Sequence, residues 1–147
     1  MRSCTFIGHR DCTDEIKSKL YTAIENLIVK EQVKCFYVGT NGNFDRYVYN
    51  ILIKLQSEYD IRVYVVLAYL KNKDCYYNMS ETVFPSVLEK VPMRYAINKR
   101  NIFMIEQSQY MVCYLNHTFS NTYKYVKKAL SRKLNIINIG ECRIELL

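Results

Sequence analysis

Glycine and proline are scarce, at four and two of 147 residues. With so few chain breakers there is no low-complexity linker, and no internal repeat accompanies them. Long apolar runs are missing as well. The longest, Val63 to Leu70, has eight residues, against the ~20 that a membrane-spanning helix requires. No Cys-x-x-Cys pair occurs, and the two histidines lie far from a zinc-type spacing. The start of the chain, a short strand-like run followed by Gly8-His9-Arg10, has no secretory-signal pattern. The expectation is a protein without membrane spans, standard secretion, repeat arrays or several domains.

What is present is a globular composition. Half of the residues are hydrophobic and 24% are charged, and a chain of this length buries roughly 68–70% of its unfolded surface. One domain over residues 1–147 is expected. The balance of 21 basic and 14 acidic residues, a formal +7, favours an anionic partner: a nucleic acid, a phosphate-bearing small molecule or an acidic surface. An AT-rich coding sequence, which would also raise Lys, Asn, Ile and Tyr, is the competing account of that charge. Cys4, Cys35 and Cys113 fall in strand-like runs, where free cysteine acts as a small hydrophobe. Reduced thiols and a cytoplasmic setting follow, with no metal and no cofactor expected.

The pattern alternates along the chain. Ser3 to Ile7, Lys34 to Val38, Ile61 to Ala68, Tyr110 to Leu115 and Asn135 to Ile139 read as strands. Thr13, followed by Asp14 and Glu15, is placed to cap a helix whose apolar stripe is Ile16, Leu20, Ala23, Ile24, Leu27 and Ile28. Phe44, Val48, Ile51, Leu52 and Leu55 predict a second helix, Arg94 to Gln107 a third and Asn121 to Ser131 a fourth. Residues 71–92 carry both prolines and no clear period, with room for a short helix near Ser86 to Lys90. Continuous apolar strands alternating with helices predict an α/β fold, an open, mostly parallel sheet of about five strands with helices on both faces.

In such sheets ligands bind beyond the carboxyl ends of the strands, where the strand order reverses. Three of the four glycines (Gly8, Gly39 and Gly42) follow the first two strands directly. They mark either ligand contact with the backbone or ordinary tight turns. Gly8-His9-Arg10 offers a guanidinium suited to phosphate. His9 can donate to phosphate or ribose, act as an acid–base group, or simply fix the loop. Gly39-Thr40-Asn41-Gly42-Asn43-Phe44-Asp45 runs from strand to helix start, where free N–H groups form an anion site. It is neither a Walker loop nor a G-x-G-x-x-G motif. Asp45 either caps its own helix or accepts from a ribose hydroxyl. On the third helix, Arg94, Asn98 and Asn101 share a face with Arg100 adjacent, which is either site or solvated surface. Thr118, Ser120, Asn121 and Thr122 supply donors at the start of the fourth helix. Lys124, Lys127, Lys128, Arg132 and Lys133 read as a solvated helix face, because no aromatic stacking pattern goes with them.

Three segments taken in order resemble the SLOG superfamily of Rossmann-like domains, which includes YpsA-like, LOG and DprA-related members: Cys4 to Cys12, Phe36 to Arg46, and Arg94 to Thr122. The likeness extends over nearly the whole chain and is nearest to small stand-alone YpsA-like proteins. It implies a doubly wound sheet with a nucleotide or nucleotide-derived ligand at its carboxyl edge. LOG enzymes are phosphoribohydrolases that use an Arg in a Met-x-x-Arg-Lys helix and a Glu closing a glycine-rich motif. Arg100, in Ile97-Asn-Lys-Arg-Asn101, matches that Arg, whereas Tyr125 stands where the Glu would be and Ser120-Asn121 where related proteins keep glycines. Cleaving a glycosidic bond needs a carboxylate beside an acid, and Asp11 and Asp45 form no convincing pair. The expectation is therefore a binding module for a molecule of the ADP-ribose kind. The alternatives are N-glycosidase action on nucleoside monophosphates and single-stranded nucleic-acid binding of the DprA kind. The resemblance also implies a homodimer or higher homo-oligomer.

Overall fold

Helices and strands follow one another as β1 (Arg2–Gly8), α1 (Lys17–Val29), β2 (Val33–Val38), α2 (Gly42–Gln56), β3 (Arg62–Val66), β4 (Glu81–Val83), α3 (Met93–Glu106), β5 (Tyr110–Tyr114), α4 (Asn121–Ser131) and β6 (Asn135–Asn138). The computed structural model describes residues 1–70, 77 and 81–147. The strands form one six-stranded sheet in the order β4-β3-β2-β1-β5-β6, and every neighbouring pair is parallel. This is an α/β fold with a parallel sheet flanked by helices, of general Rossmann-like architecture.

Both sheet faces are covered, which explains why the strands are apolar without alternation. Along β1 successive side chains point to opposite faces. Phe6 packs with Phe36, Leu20, Ile24 and Leu52 under α1 and α2. Its neighbour Ile7 packs with Met104, Met111, Val126 and Ala129 under α3 and α4. Cys4, Cys12, Cys35 and Cys113 are free and buried, and Cys142 is free and half-buried. Desolvation pushes the Cys12 thiol up to about 11 and that of Cys113 up to about 12, so these two stay protonated at neutral pH. Cys75 and Tyr76 lie outside the described residues.

Three expectations are corrected. The sheet has six strands and not about five. The additional one, β4, comes from the segment without a period. It has three residues, Glu81-Thr82-Val83, with exposed or half-buried side chains. Such a run carries no readable pattern, and its strand geometry comes from pairing with Tyr64, Val65 and Val66 of β3. The short helix in the same region is a single 3-10 turn, Ser86–Leu88. Thr13 is extended but its side chain makes no capping bond, and a 3-10 turn at Asp14–Ile16 precedes α1. By contrast α4 begins where expected, with Ser120 extended and its Oγ accepting from the Tyr123 N–H at 3.3 Å.

Candidate functional site

The chain builds β1 to β4 outward in one direction and then returns to place β5 on the other side of β1. The reversal lies between β1 and β5, which pair from Cys4 with Tyr110 to Gly8 with Tyr114. Beyond their carboxyl ends the loops diverge and leave a crevice. A cleft of about 550 Å³ opens there, within the range of a small-molecule site.

The β1 loop forms one wall. The His9 N–H donates to the Tyr114 carbonyl at 3.3 Å, which carries the β1–β5 pairing one residue further. His9 Nε2 accepts from the Asn116 N–H at 3.0 Å, which assigns the ring proton of neutral His9 to Nδ1. Burial lowers the His9 pKa, His117 lowers it further, and Asp11 opposes both. His9 therefore fixes the loop, and its other face is covered: its ring stacks on His117 at 4.2 Å between centroids. His117 in turn stacks on Phe119 at 3.9 Å. His117 Nδ1 is buried and has no hydrogen-bond partner among the described residues.

The opposite wall is a polar cluster around Arg100, only 1% exposed. Arg100 donates from Nε to Asn101 Oδ1 at 2.8 Å, from Nη1 to the Val66 carbonyl at 3.1 Å, and from Nη2 to Asn41 Oδ1 at 2.8 Å. It thereby ties α3 to the end of β3 and the start of α2. Asp45 lies beside it, buried, with Oδ2 accepting from the Asn41 N–H at 2.9 Å. Burial raises the Asp45 carboxyl pKa, against the opposing pull of Arg100, the Asn41 N–H and Arg10.

At the start of α2 (Gly42–Gln56) two N–H groups are held by neighbours, while those of Gly42 and Phe44 have no acceptor among the described residues. Asp45 takes the Asn41 N–H, and the Arg10 carbonyl takes the Asn43 N–H at 2.9 Å. At the start of α4, beyond the Ser120 cap, the N–H groups of Asn121 and Thr122 likewise have no protein acceptor among the described residues. Ser120, Asn121 and Thr122 all line the cleft.

Of the residues singled out in the sequence, Gly8, His9, Arg10, Asn41, Asp45, Arg100, Asn101, Ser120, Asn121 and Thr122 line this one cleft. Gly39, Thr40, Gly42, Phe44 and Thr118 do not, and packing explains the glycines. A Cβ on Gly8 would lie 2.5 Å from the Phe44 ring, and one on Gly39 would lie 2.9 Å from both Arg100 Cζ and Asp45 Oδ2. Gly42 has φ +92° and would meet Arg10 Cα at 2.8 Å, so a side chain there is both strained and crowded. Arg94 and Asn98 are exposed and lie outside the lining, although Asn98 Oδ1 accepts from the Tyr125 hydroxyl at 3.1 Å.

Phe6, Ile7, Ile97, His117 and Tyr125 line the cleft without having been selected, and so does Asp11, weighed in the sequence only as an acid beside Asp45. Helical spacing would have found two of them: Ile97 is i−3 and i−4 to Arg100 and Asn101, and Tyr125 is i+3 and i+4 to Thr122 and Asn121. Among the described residues no group of three or more His, Cys, Asp or Glu side chains is placed to hold a metal ion. No helix among them is long and apolar enough to cross a membrane.

No family model and no curated protein matches the chain. The solved structure of DNA processing protein A (DprA) from Streptococcus pneumoniae is similar, with a TM-score of 0.69 at 10% sequence identity, over 94% of this chain and 50% of that one. The chain spans about half the length of the protein it matches. At this identity the likeness is one of fold.

Proposed function

We propose that the cleft between β1 and β5 binds a phosphate-bearing nucleotide unit as a recognition module of the SLOG kind. The start of α4 carries the reading: Ser120, Asn121 and Thr122 all line the cleft, their side chains offer donors, and the N–H groups of Asn121 and Thr122 have no acceptor among the described residues. A helix N-terminus of this kind suits phosphate, and Arg10 on the facing loop adds a cation. Asp45 and Asp11 are the only carboxylates lining the cleft among the described residues. Asp45 is held by the Asn41 N–H beside Arg100, so binding is favoured over glycosidic cleavage.

A molecule of the ADP-ribose kind and a nucleotide within a single strand share this chemistry. The second source is favoured by the fold shared with DNA processing protein A and by five exposed cations: Lys124, Lys127, Lys128, Arg132 and Lys133. Calorimetric titration with AMP, ADP-ribose and a short oligonucleotide at two salt concentrations separates the sources. A nucleotide-derived ligand binds with weak salt dependence, whereas a strand loses affinity steeply as salt rises. Absence of binding by all three would overturn the proposal, and release of free base from AMP would restore the hydrolase alternative. Association as a homodimer belongs to the same proposal. Light scattering that gives only the 17.5 kDa species would remove it.

A further inference from the structure

We propose that the outward face of Phe119 is the step on which the base of that nucleotide stacks. The inference rests on the cleft reading above and adds where the base lies. Phe119 is 83% exposed, yet its ring does not hang free. It lies nearly parallel to His117, at 15° and 3.9 Å, and His117 lies nearly parallel to buried His9, at 11° and 4.2 Å. The three rings form a ladder that rises from the cleft wall to the surface, and its last rung presents a flat apolar face to water.

A second depression borders that rung, lined by Phe119, Tyr123 and Lys124 with Thr118, Ser120 and Asn121. Ser120 and Asn121 also line the main cleft, so the two hollows meet around the start of α4. A nucleotide laid across this junction places its phosphate at the open α4 N–H groups and its base on Phe119. Lys124 is then within the same hollow as a cationic flank. The aromatic component that the Lys face lacks in the sequence is therefore supplied by a loop residue and by Tyr123, over whose ring Lys127 Nζ sits at 5.9 Å from the centroid. Stacking on an aromatic side chain tolerates any base, since each has a π-face.

Two probes and two variants test this. AMP carries base and phosphate, whereas ribose 5-phosphate lacks the base. Phe119→Ala should weaken AMP roughly ten-fold and leave ribose 5-phosphate unchanged. Phe119→Trp should bind AMP at least as tightly as the original. Because the chain has no tryptophan, its fluorescence in that variant reports only this position, and AMP should quench it while ribose 5-phosphate should not. If Phe119→Ala binds AMP as tightly as the unchanged protein, the stacking step is wrong while the cleft reading stands. If the unchanged protein binds neither probe, both are wrong.

Discussion

Two strand-to-helix junctions, β2 to α2 and β5 to α4, face the same crevice and are chemically alike in sequence. Each is rich in Asn, Ser, Thr or Gly, and each opens a helix whose first N–H groups need acceptors. In the fold they differ in which of their unheld residues line the cleft. At α2, Asp45 and the Arg10 carbonyl take the Asn41 and Asn43 N–H groups, and Asn41 accepts from Arg100. At α4 the Tyr123 N–H is taken by Ser120, and Asn121 and Thr122, whose N–H groups have no acceptor among the described residues, line the cleft, whereas Gly42 and Phe44, equally without one at α2, do not. The first junction is a structural lock, and the second is the proposed receptor. A donor-rich loop is a binding site only where the protein does not itself satisfy the donors.

The largest effect should come from opening the lock. Arg100→Met removes a buried cation on which Asn41, Val66 and Asp45 depend, and loss of one partner of a buried charge network costs ~3–5 kcal/mol. Urea denaturation should show that loss. A midpoint within error of the original would mean that Arg100 is held for ligand and not for the fold.

Gly39→Ala sharpens the same point by inserting a Cβ 2.9 Å from Arg100 Cζ and Asp45 Oδ2. Overpacking of this kind costs about 1–3 kcal/mol, again read by denaturation and without any ligand present.

On the receptor side, Thr122→Val keeps the size of a buried residue and should cost less stability than either change at the α2 junction, but weaken AMP several-fold by calorimetry. The reverse result, a stability loss with unchanged binding, would erase the distinction between the two junctions.

A smaller effect is expected from pH. Burial holds the His9 pKa below its ordinary 6.5, so the unfolded chain binds more protons in that range. The stability contributed by neutral His9 is present in full above 6.5 and is lost as pH falls through the lower folded value. Midpoints measured between about pH 7 and 5 should decline less for His9→Phe than for the unchanged protein. Smallest of all is Arg132→Ala, on the exposed end of α4. It should leave AMP affinity unchanged, while a drop in oligonucleotide affinity would favour the strand as the ligand source.

Much of the frame was legible because it depends on local signals. The apolar runs of β1, β2 and β5 and the stripes of α1 and α2 have periods that survive in one dimension. α4 was bounded correctly at Asn121–Ser131 because Ser120 caps it and Val126 and Ala129 set its face. α3 was harder. Its buried face contains Arg100 and Asn101 beside Ala96, Met104 and Ile105, so polarity and burial part company there. The sequence places Arg100 near a site but says nothing of the atoms that hold it. β4 had no signal at all, being three polar or half-buried residues that need β3 as a template.

Composition and periodicity by themselves determined a parallel α/β sheet covered on both faces. They also determined which loops meet at its carboxyl edge, since in a parallel sheet every strand ends on the same side. Tertiary structure decided which of those loops sets residues with unheld donors along the cleft. The deciding partners are far apart in sequence: Arg100 reaches Asn41 across 59 positions, and Asn116 reaches His9 across 107. A hydrogen bond between such residues exists only after the sheet has brought their loops together. The distinction between a lock and a receptor is therefore written in the folded chain and not in either loop alone.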